Sequence, residues 1–441
     1  MLKIPNLVYS TTLLFISNFI VRIIGFLYKI FLSRKIGAGG LGIFHIIFHF
    51  LMLCVSITTT GIPVALNSLI SKEKSLNNKH NINVLFISTL YLSFFISIFI
   101  SVFVSLNSKF ISLKLLHSPN YQIFILSITP AISLITISNI LRSYYYGLKK
   151  VEVPAVGQIL EQISRILFVV FIFSYIKNAS LYSLIPLIGL SVGEIINILF
   201  VTINLTKEPN LKNNYVIGLR DFFIGISKIS KIAFPITFNR VFTVIIQSIS
   251  SILIPSRLVL SGLKYTNAMN IYGTITGMVF PFLFLPFTVT SALVVNLIPS
   301  ISQEIPKKNY KLINKKIFFS IFLSASIGFS ASLIYMFFGE EICYFVYKSN
   351  LAGKYLKLIS VSCFFMVLNH TLSGILHSIE KEYRATINNI IGLLVQLLCI
   401  YFLIPINNIN IYGFIYGFIA SSIIIFILHS ITLIKAKKRW K

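Results

Sequence analysis

Acidic residues are scarce in this chain, with 11 Asp and Glu among 441 residues against 38 Lys and Arg. Charged residues of all kinds reach only 11%, less than half the roughly 25% of an ordinary soluble domain. So little charge, beside 56% hydrophobic residues and a mean hydropathy of +0.88, excludes a conventional water-soluble fold. Cysteine is also sparse. Cys54, Cys343, Cys363 and Cys399 lie far apart and form no CxxC pair, which argues against a disulfide framework or a bound metal. The sequence holds no HExxH, no nucleophile elbow and no P-loop. It therefore reads as neither a metalloprotease nor an ATP-driven pump, and no cofactor is expected beyond a coupling ion, H+ or Na+. An Ala-x-Ala-like cleavage site is missing after the first apolar run, so that run is expected to be a span rather than a removed leader.

What is present is a series of apolar runs long enough to cross a bilayer, about 20 residues each. They fall near 7–33, 41–69, 82–106, 121–146, 155–176, 181–204, 230–255, 270–298, 316–338, 355–378, 385–404 and 410–434. The eighth is the least regular, because Pro281 and Pro286 interrupt it. An all-α membrane protein of about twelve spans follows. The excess of cations would indicate nucleic acid in a soluble protein, but here it lies mostly in short loops and the tail. Twenty-three Lys and Arg belong to the N-terminus, the even-numbered loops and the C-terminal tail, and ten to the other loops. The positive-inside rule places both termini in the cytoplasm, with membrane lipids as the partner of the loop cations.

The longest loop, about 205–229, divides the chain into two six-helix lobes, residues 1–210 and 211–441. The lobes are weakly alike. ALNSLISKE, ending at Glu73, lies over NLIPSISQE, ending at Glu304, and ILRSYYYGLKK, ending at Lys150, over TLSGILHSIEK, ending at Lys381. Both pairs share one offset, 231 residues. Two parallel six-helix halves are a transporter pattern, with the substrate site expected between them.

Charges within spans cost at least about 2.5–3.5 kcal/mol at mid-helix and normally face a cavity or a partner. Arg22 and Lys29 share a face of the first span, with Gly25 between them. Glu161 and Arg165 form an i,i+4 pair in the fifth span, Gln158 continuing their stripe. Arg142, Glu194 and Arg240 complete the set, and Gln247 lies on the face of Arg240. Arg22, Lys29, Arg142, Arg165 and Arg240 are the candidate cavity cations. Arg142 and Lys29 lie near span ends, where snorkelling is an equal alternative. Glu161 and Glu194 are charge partners or coupling groups, and Glu161–Arg165 reads equally as a structural pair. Arginine suits phosphate, donating two parallel hydrogen bonds. A lipid-linked diphosphate fits such a cavity better than a cationic drug does.

Other signals are weaker. Gly37-Ala38-Gly39-Gly40-Leu41-Gly42 matches GxGxxG but lacks a βαβ unit, so a tight external turn is the better reading. Gly273–Gly277 and Gly413–Gly417 have the GxxxG spacing of close helix packing. His370 and His377 share a face without an acidic or thiol neighbour, which makes them poor metal ligands. Asn239, Asn388 and Asn389 could supply oxygen to an ion, with polar helix packing the competing explanation. Gly61 and Pro63 mark the first place to look for a hinge.

The stretch VRIIGFLYKIFLSRKIGAGGLGIFHIIF (Val21 to Phe48) and TTTGIPVALNSLISKE (Thr58 to Glu73) resembles the start of the stage V sporulation protein B and polysaccharide-biosynthesis exporters. GLKKVEVPAVGQILEQISRI (Gly147 to Ile166) resembles a later segment of the same group. These exporters belong to the multidrug/oligosaccharidyl-lipid/polysaccharide (MOP) flippase superfamily. The resemblance implies two six-helix lobes in a V, alternating access, and movement of undecaprenyl-diphosphate-linked oligosaccharide, lipid II included, across a bacterial cytoplasmic membrane. It places Arg22 on the family's first-helix arginine and Arg165 on a basic position of the fifth helix. The chain departs from the fourteen spans usual among close relatives of the sporulation protein. It is expected to act as a monomer and not as an enzyme. The competing functions are cation-coupled drug export, which needs an accessible membrane carboxylate, and a membrane-embedded glycan polymerase, which needs catalytic acids on a sizeable external loop.

Overall fold

Main-chain polar groups in hydrocarbon must find their partners within the protein, and a helix satisfies them inside one segment. The computed structural model describes residues 6–115, 119–176, 181–208 and 218–438. Among these residues every long element is helical. In order they are α1 (Asn6–Thr59), α2 (Gly61–Ser75), α3 (Lys79–Leu106), the single turn α4 (Ser108–Phe110), α5 (Gln122–Gly147), α6 (Glu152–Tyr175), α7 (Leu184–Leu205) and α8 (Leu219–Leu260). There follow α9 (Tyr265–Gly273), α10 (Phe280–Leu283), α11 (Phe287–Ser302), α12 (Tyr310–Tyr347), α13 (Asn350–Ser378), α14 (Glu382–Leu403) and α15 (Tyr412–Lys438).

Ten of the described helical stretches are long and apolar enough to span a bilayer. The first, Thr12–Ser75, is 64 residues long, enough for two crossings. It is broken at Gly37, whose φ of 66° is open to glycine and strained for other residues. Ile16 and Ser17 line one pocket with Ala155 and Ile159, and Ile70 lies against Gly147. Residues 16 and 70 thus sit at the same end of α5 and α6, so the chain reverses near Gly37 as the glycine-rich turn predicts. Span eight is α9–α11, with a π-helix at Thr274–Val279 between α9 and α10 and the Pro281 and Pro286 interruptions beyond it. These two stretches bring the crossings to twelve.

Three spans differ in length from their hydropathy. α8 starts at Leu219 rather than near 230, α12 runs Tyr310–Tyr347 rather than 316–338, and α13 starts at Asn350. Lys228, Lys231, Glu340 and Glu341 lower the hydropathy of these ends, yet a helix leaving the hydrocarbon keeps its backbone bonds. The supposed loop 339–354 is consequently almost all helix.

The chain forms two compact units. One comprises residues 1–28 and 46–248, the other 29–45 and 249–441. Relative to a cut at 210/211, the hairpin tip 29–45 goes with the C-terminal unit and residues 218–248 with the N-terminal one. In the first unit α5 packs on α2, α3 and α7, and α6 packs on α7. In the second α13 packs on α11, α12 and α15, and α14 packs on α15.

The 231-residue offset holds down to single hydrogen bonds. Asn77 and Lys308 are both left-handed, as are Lys149 and Glu380. Asn78 caps α3 through Asn81 N at 3.1 Å, and Asn309 caps α12 through Leu312 N at 3.3 Å. Ser101 Oγ donates to Thr129 O at 2.6 Å, and Ser332 Oγ to Ser360 O at 2.9 Å. The two cores match as well. Leu66, Ile70, Ile82, Tyr144 and Tyr145 in one correspond to Leu297, Ile301, Ile313, Ile375 and Leu376 in the other.

Since lipid is as apolar as a leucine side chain, helices associate through close packing, and small residues set the approach. Gly273 faces Ala38 O and Gly42 N, Gly277 faces Leu41, Gly413 faces Leu403 and Gly417 faces Cys399. The GxxxG pairs therefore pack helices within the chain. α1 and α2 part at Thr60, and Gly61 N donates to Thr237 Oγ1 at 3.1 Å. A Cβ on Gly61 would stand 2.1 Å from Ala233 O. Gly61→Ala is accordingly expected to lose about 1–3 kcal/mol by overpacking, read as a lowered thermal midpoint of the detergent-solubilised protein.

Candidate functional site

Four of the intramembrane charges converge in the N-terminal unit. Arg165 and Glu161, one turn apart on α6, meet at 2.6 Å between Nη2 and Oε1. From α5, Arg142 Nη1 reaches Glu161 Oε2 at 3.4 Å, and its Nη2 lies 3.7 Å from Glu194 Oε2 on α7. All four side chains are nearly buried, between 5% and 13% exposed. Two guanidinium and two carboxylate groups make a balanced set, and in a low-dielectric interior each needs the others.

The local sequence explains the convergence. Gly189, Gly193 and Asn197 recur every fourth residue on α7 and form a narrow stripe against α6. A Cβ on Gly193 would lie 2.8 Å from Glu161 O, and one on Gly189 would lie 2.7 Å from Val169 Cγ2. Asn197 Nδ2 donates to Ser138 Oγ at 2.7 Å, tying α7 to α5. Arg142 Nε, Arg165 Nε, Glu194 Oε2 and the Tyr28 hydroxyl are buried without a hydrogen-bond partner among the described residues. Tyr28, from α1, is within electrostatic reach of Arg165. Neither Tyr28 nor Asn197 was singled out by charge or motif, although the Gly-x3-Gly-x3-Asn spacing was visible.

The repeat supplies an internal comparison. At the 231 offset Arg142, Glu161, Arg165 and Glu194 correspond to Ser373, Gly392, Gln396 and Ile425. Gly392 and Ile425 touch, a Cβ on Gly392 falling 2.3 Å from Ile425 Cγ1. The same helical scaffold therefore packs at this position without any charge. Arg22 and Lys29 likewise correspond to Leu253 and Leu260.

The remaining candidate cations lie elsewhere. On α1 the exposed Asn18 and Arg22, then Gly25 and the half-buried Lys29, follow one another at helical spacing. A Cβ on Gly25 would meet nothing within 4 Å. Ile16, Ile20, Ile23 and Leu27 are exposed on a different face, the face suited to lipid. Asn18 extends the polar stripe by one turn, and no charge marked it. On α8 the exposed Phe234, Phe238, Phe242, Ile245 and Ile249 form one stripe, and Phe234, Phe238 and Phe242 succeed one another at about 6 Å. Arg240 projects on the opposite side of the helix. It is nonetheless exposed, in mid-helix, on the side that holds the buried Ala233 and Val244. Neither Lys29 nor Arg240 forms an ion pair with a described residue.

In the C-terminal unit Asn388 Nδ2 lies 3.0 Å from His429 Nδ1 and 3.2 Å from Thr432 Oγ1. This joins α14 to α15 through a fully buried histidine. Asn389, half-buried, is beside it, and the side chain of Asn239 lies outside the described residues. Pro63 is buried next to Gly61.

With this geometry in place, comparison with known proteins is informative. The model of the polysaccharide biosynthesis protein family matches residues 7–289. The chain belongs to that family. The MatE family model also matches, over residues 235–402. Stage V sporulation protein B of Bacillus subtilis (strain 168) is 22% identical over 97% of this chain and 83% of its own length. Lipid II flippase MurJ of the same organism is 23% identical over 89% of this chain and 76% of its own. Among solved structures, an inward-facing multidrug resistance MATE family transporter of the MOP superfamily superposes with a TM-score of 0.73 at 13% identity. That match covers 95% of this chain and 99% of the transporter. A MOP superfamily transporter from Pyrococcus furiosus gives a TM-score of 0.69 at 14% identity, covering 97% and 96%. The fold is that of the MOP transporters, and the family member described here is a multi-pass membrane protein with that fold.

Proposed function

We propose that the protein flips a polyprenyl-diphosphate-linked oligosaccharide, lipid II or a related cell-envelope precursor, across a bacterial cytoplasmic membrane by alternating access. The observation that carries this reading is Arg240. It is an exposed mid-helix arginine opposite the aromatic stripe of α8, with no carboxylate paired to it among the described residues. A cation in that position is costly unless water and an anion reach it. Arg22 and Lys29 on the α1 stripe extend the cationic surface, and a diphosphate is the anion that arginine forks suit. The positive-inside count supports cytoplasmic termini.

The buried set of four has a different role. Arg142 and Arg165 are already engaged by Glu161 and Glu194, so they are poor first ligands for a diphosphate. Two guanidinium groups repel Na+, which leaves H+ as the coupling ion the set can take up, at Glu194 or Glu161. Drug export is disfavoured for the same reason, because both intramembrane carboxylates are tied to arginine. A polymerase is disfavoured by the helical form of residues 339–347, which carries Glu340 and Glu341 on α12.

The test is reconstitution in proteoliposomes with lipid II, with a second undecaprenyl-diphosphate glycan and with ethidium in parallel. Translocation of either lipid-linked glycan without ethidium efflux supports the proposal. Ethidium efflux that depends on Glu194, with both glycans unmoved, overturns it.

A further inference from the structure

Within the N-terminal unit, the turn between α5 and α6 stands at one end of an apolar groove. Leu13, Ile16 and Ile20 on α1 and Ala155, Val156 and Ile159 on α6 line this groove, whose volume is about 310 Å³. That is the lower end of the roughly 300–1,000 Å³ usual for ligand pockets. The wall is apolar throughout, Glu152 bordering the end beside the turn with carbon alone. A water molecule needs about two to four polar partners to settle in such a space. In a bilayer a hydrocarbon chain fills it instead. Ile16 and Ile20 lie on the face of α1 opposite Asn18 and Arg22, so the groove is separate from the polar stripe.

Cations gather at the turn. Lys74, from the end of α2, donates its ammonium to Leu148 O and lies within electrostatic reach of Lys149 and Lys150. Glu208 takes Lys150 at 2.8 Å, and Glu73 accepts from Asn81 Nδ2 at 3.1 Å. Lys74 and Lys149 are exposed and form no ion pair with a described residue, which leaves Glu152 to oppose them. The other half of the chain keeps the turn without this chemistry. Lys149 and its mate Glu380 are both left-handed. Lys74 corresponds to Ile305, however, and Ile16, Ile20 and Ala155 correspond to Gln247, Ser251 and Thr386. The scaffold therefore requires neither the cations nor the apolar wall.

We propose that the groove and the turn bind one anionic phospholipid of the adjacent leaflet, an acyl chain lying between α1 and α6 and the phosphate on Lys74 and Lys149. An ammonium has three donors and Leu148 O takes one, so Lys74 keeps two for the phosphate. Lysine serves phosphate as a point charge, and anionic lipid concentrates beside basic segments at a membrane surface. Bound there, the lipid ties α1, α2 and α6 together at one end of the N-terminal unit. The inference rests on no transported substrate.

The test uses the full chain in detergent, with binding of phosphatidylglycerol, phosphatidylcholine and undecaprenyl phosphate read by native mass spectrometry. One phosphatidylglycerol is expected to bind in preference to phosphatidylcholine. Lys149→Asn suits the left-handed backbone and spares the Lys74 contact. It is expected to weaken phosphatidylglycerol binding about fivefold, and Lys74→Gln with Lys149→Asn about thirtyfold, the scale of one surface cation each. Val156→Trp, at an exposed position of the wall, fills the groove and is expected to weaken binding at least about tenfold. Its size-exclusion profile should match the parent's. Parent-like affinity in the double lysine variant or in Val156→Trp overturns the site, as does phosphatidylcholine bound equally tightly. Displacement of phosphatidylglycerol by an equal concentration of undecaprenyl phosphate also overturns it, by assigning the groove to a polyprenyl chain.

Discussion

Arg240→Ala is expected to cut the initial rate of lipid-linked glycan translocation by at least about thirtyfold, with the protein still folded and inserted. The magnitude follows from truncating one partner of a desolvated charge pair, roughly 2–5 kcal/mol, where each 1.4 kcal/mol is tenfold. Stability should change little, because Arg240 forms no ion pair with a described residue and opposes the Phe234–Phe238–Phe242 stripe without being buried. Arg240→Lys keeps the charge and loses the fork, so it should retain part of the rate. Arg22→Ala is the companion experiment on α1, and the double variant should show no residual transport. The measurement is initial flux in proteoliposomes at matched protein density, with size-exclusion profiles as the folding control. Parent-like flux in Arg240→Ala would remove the central support for an anionic headgroup site.

Much of this architecture could be read from the chain. Apolar run length located the spans, and the 231-residue offset, drawn from two short segments, pointed to two related halves, whose paired caps and paired cores only the structure shows. Glycine spacing foretold the turn at Gly37 and the close contacts at Gly273 and Gly413. What sequence does not carry is lateral register. Glu161–Arg165 is legible because four residues on one helix are neighbours, whereas Arg142 meets Glu161 only once α5 and α6 are packed. Arg142 consequently read as a cavity cation or a snorkelling one, and it is a buried partner of two carboxylates. Span ends were misjudged where helices leave the hydrocarbon carrying Lys228, Lys231, Glu340 or Glu341, since hydropathy measures lipid contact and not backbone hydrogen bonding. The unit boundary was hidden for a related reason. The hairpin tip at 29–45 changes unit through packing contacts, and no loop announces the change.

The buried four-charge set should respond to substitution in a way that depends on balance more than on the number of groups removed. Glu161 touches both arginines. Glu161→Gln therefore leaves two buried guanidinium groups facing Glu194 alone, and breaking a buried network in this way costs about 3–5 kcal/mol. The expected result is a sharply lower thermal midpoint and poor recovery of folded protein. Replacing all four groups by their counterparts in the other half, Arg142→Ser, Glu161→Gly, Arg165→Gln and Glu194→Ile, removes every charge at once. The packing precedent already exists in the same molecule, where Gly392 lies against Ile425. The quadruple variant is expected to be more stable than Glu161→Gln, although it changes three more residues. If the set takes up the coupling proton, flux in that variant should no longer respond to an imposed pH gradient. Thermal unfolding in detergent and flux with and without the gradient decide both points. A quadruple variant less stable than the single one would show that the charges hold the N-terminal unit together. A preserved gradient response would move proton coupling away from Glu161 and Glu194.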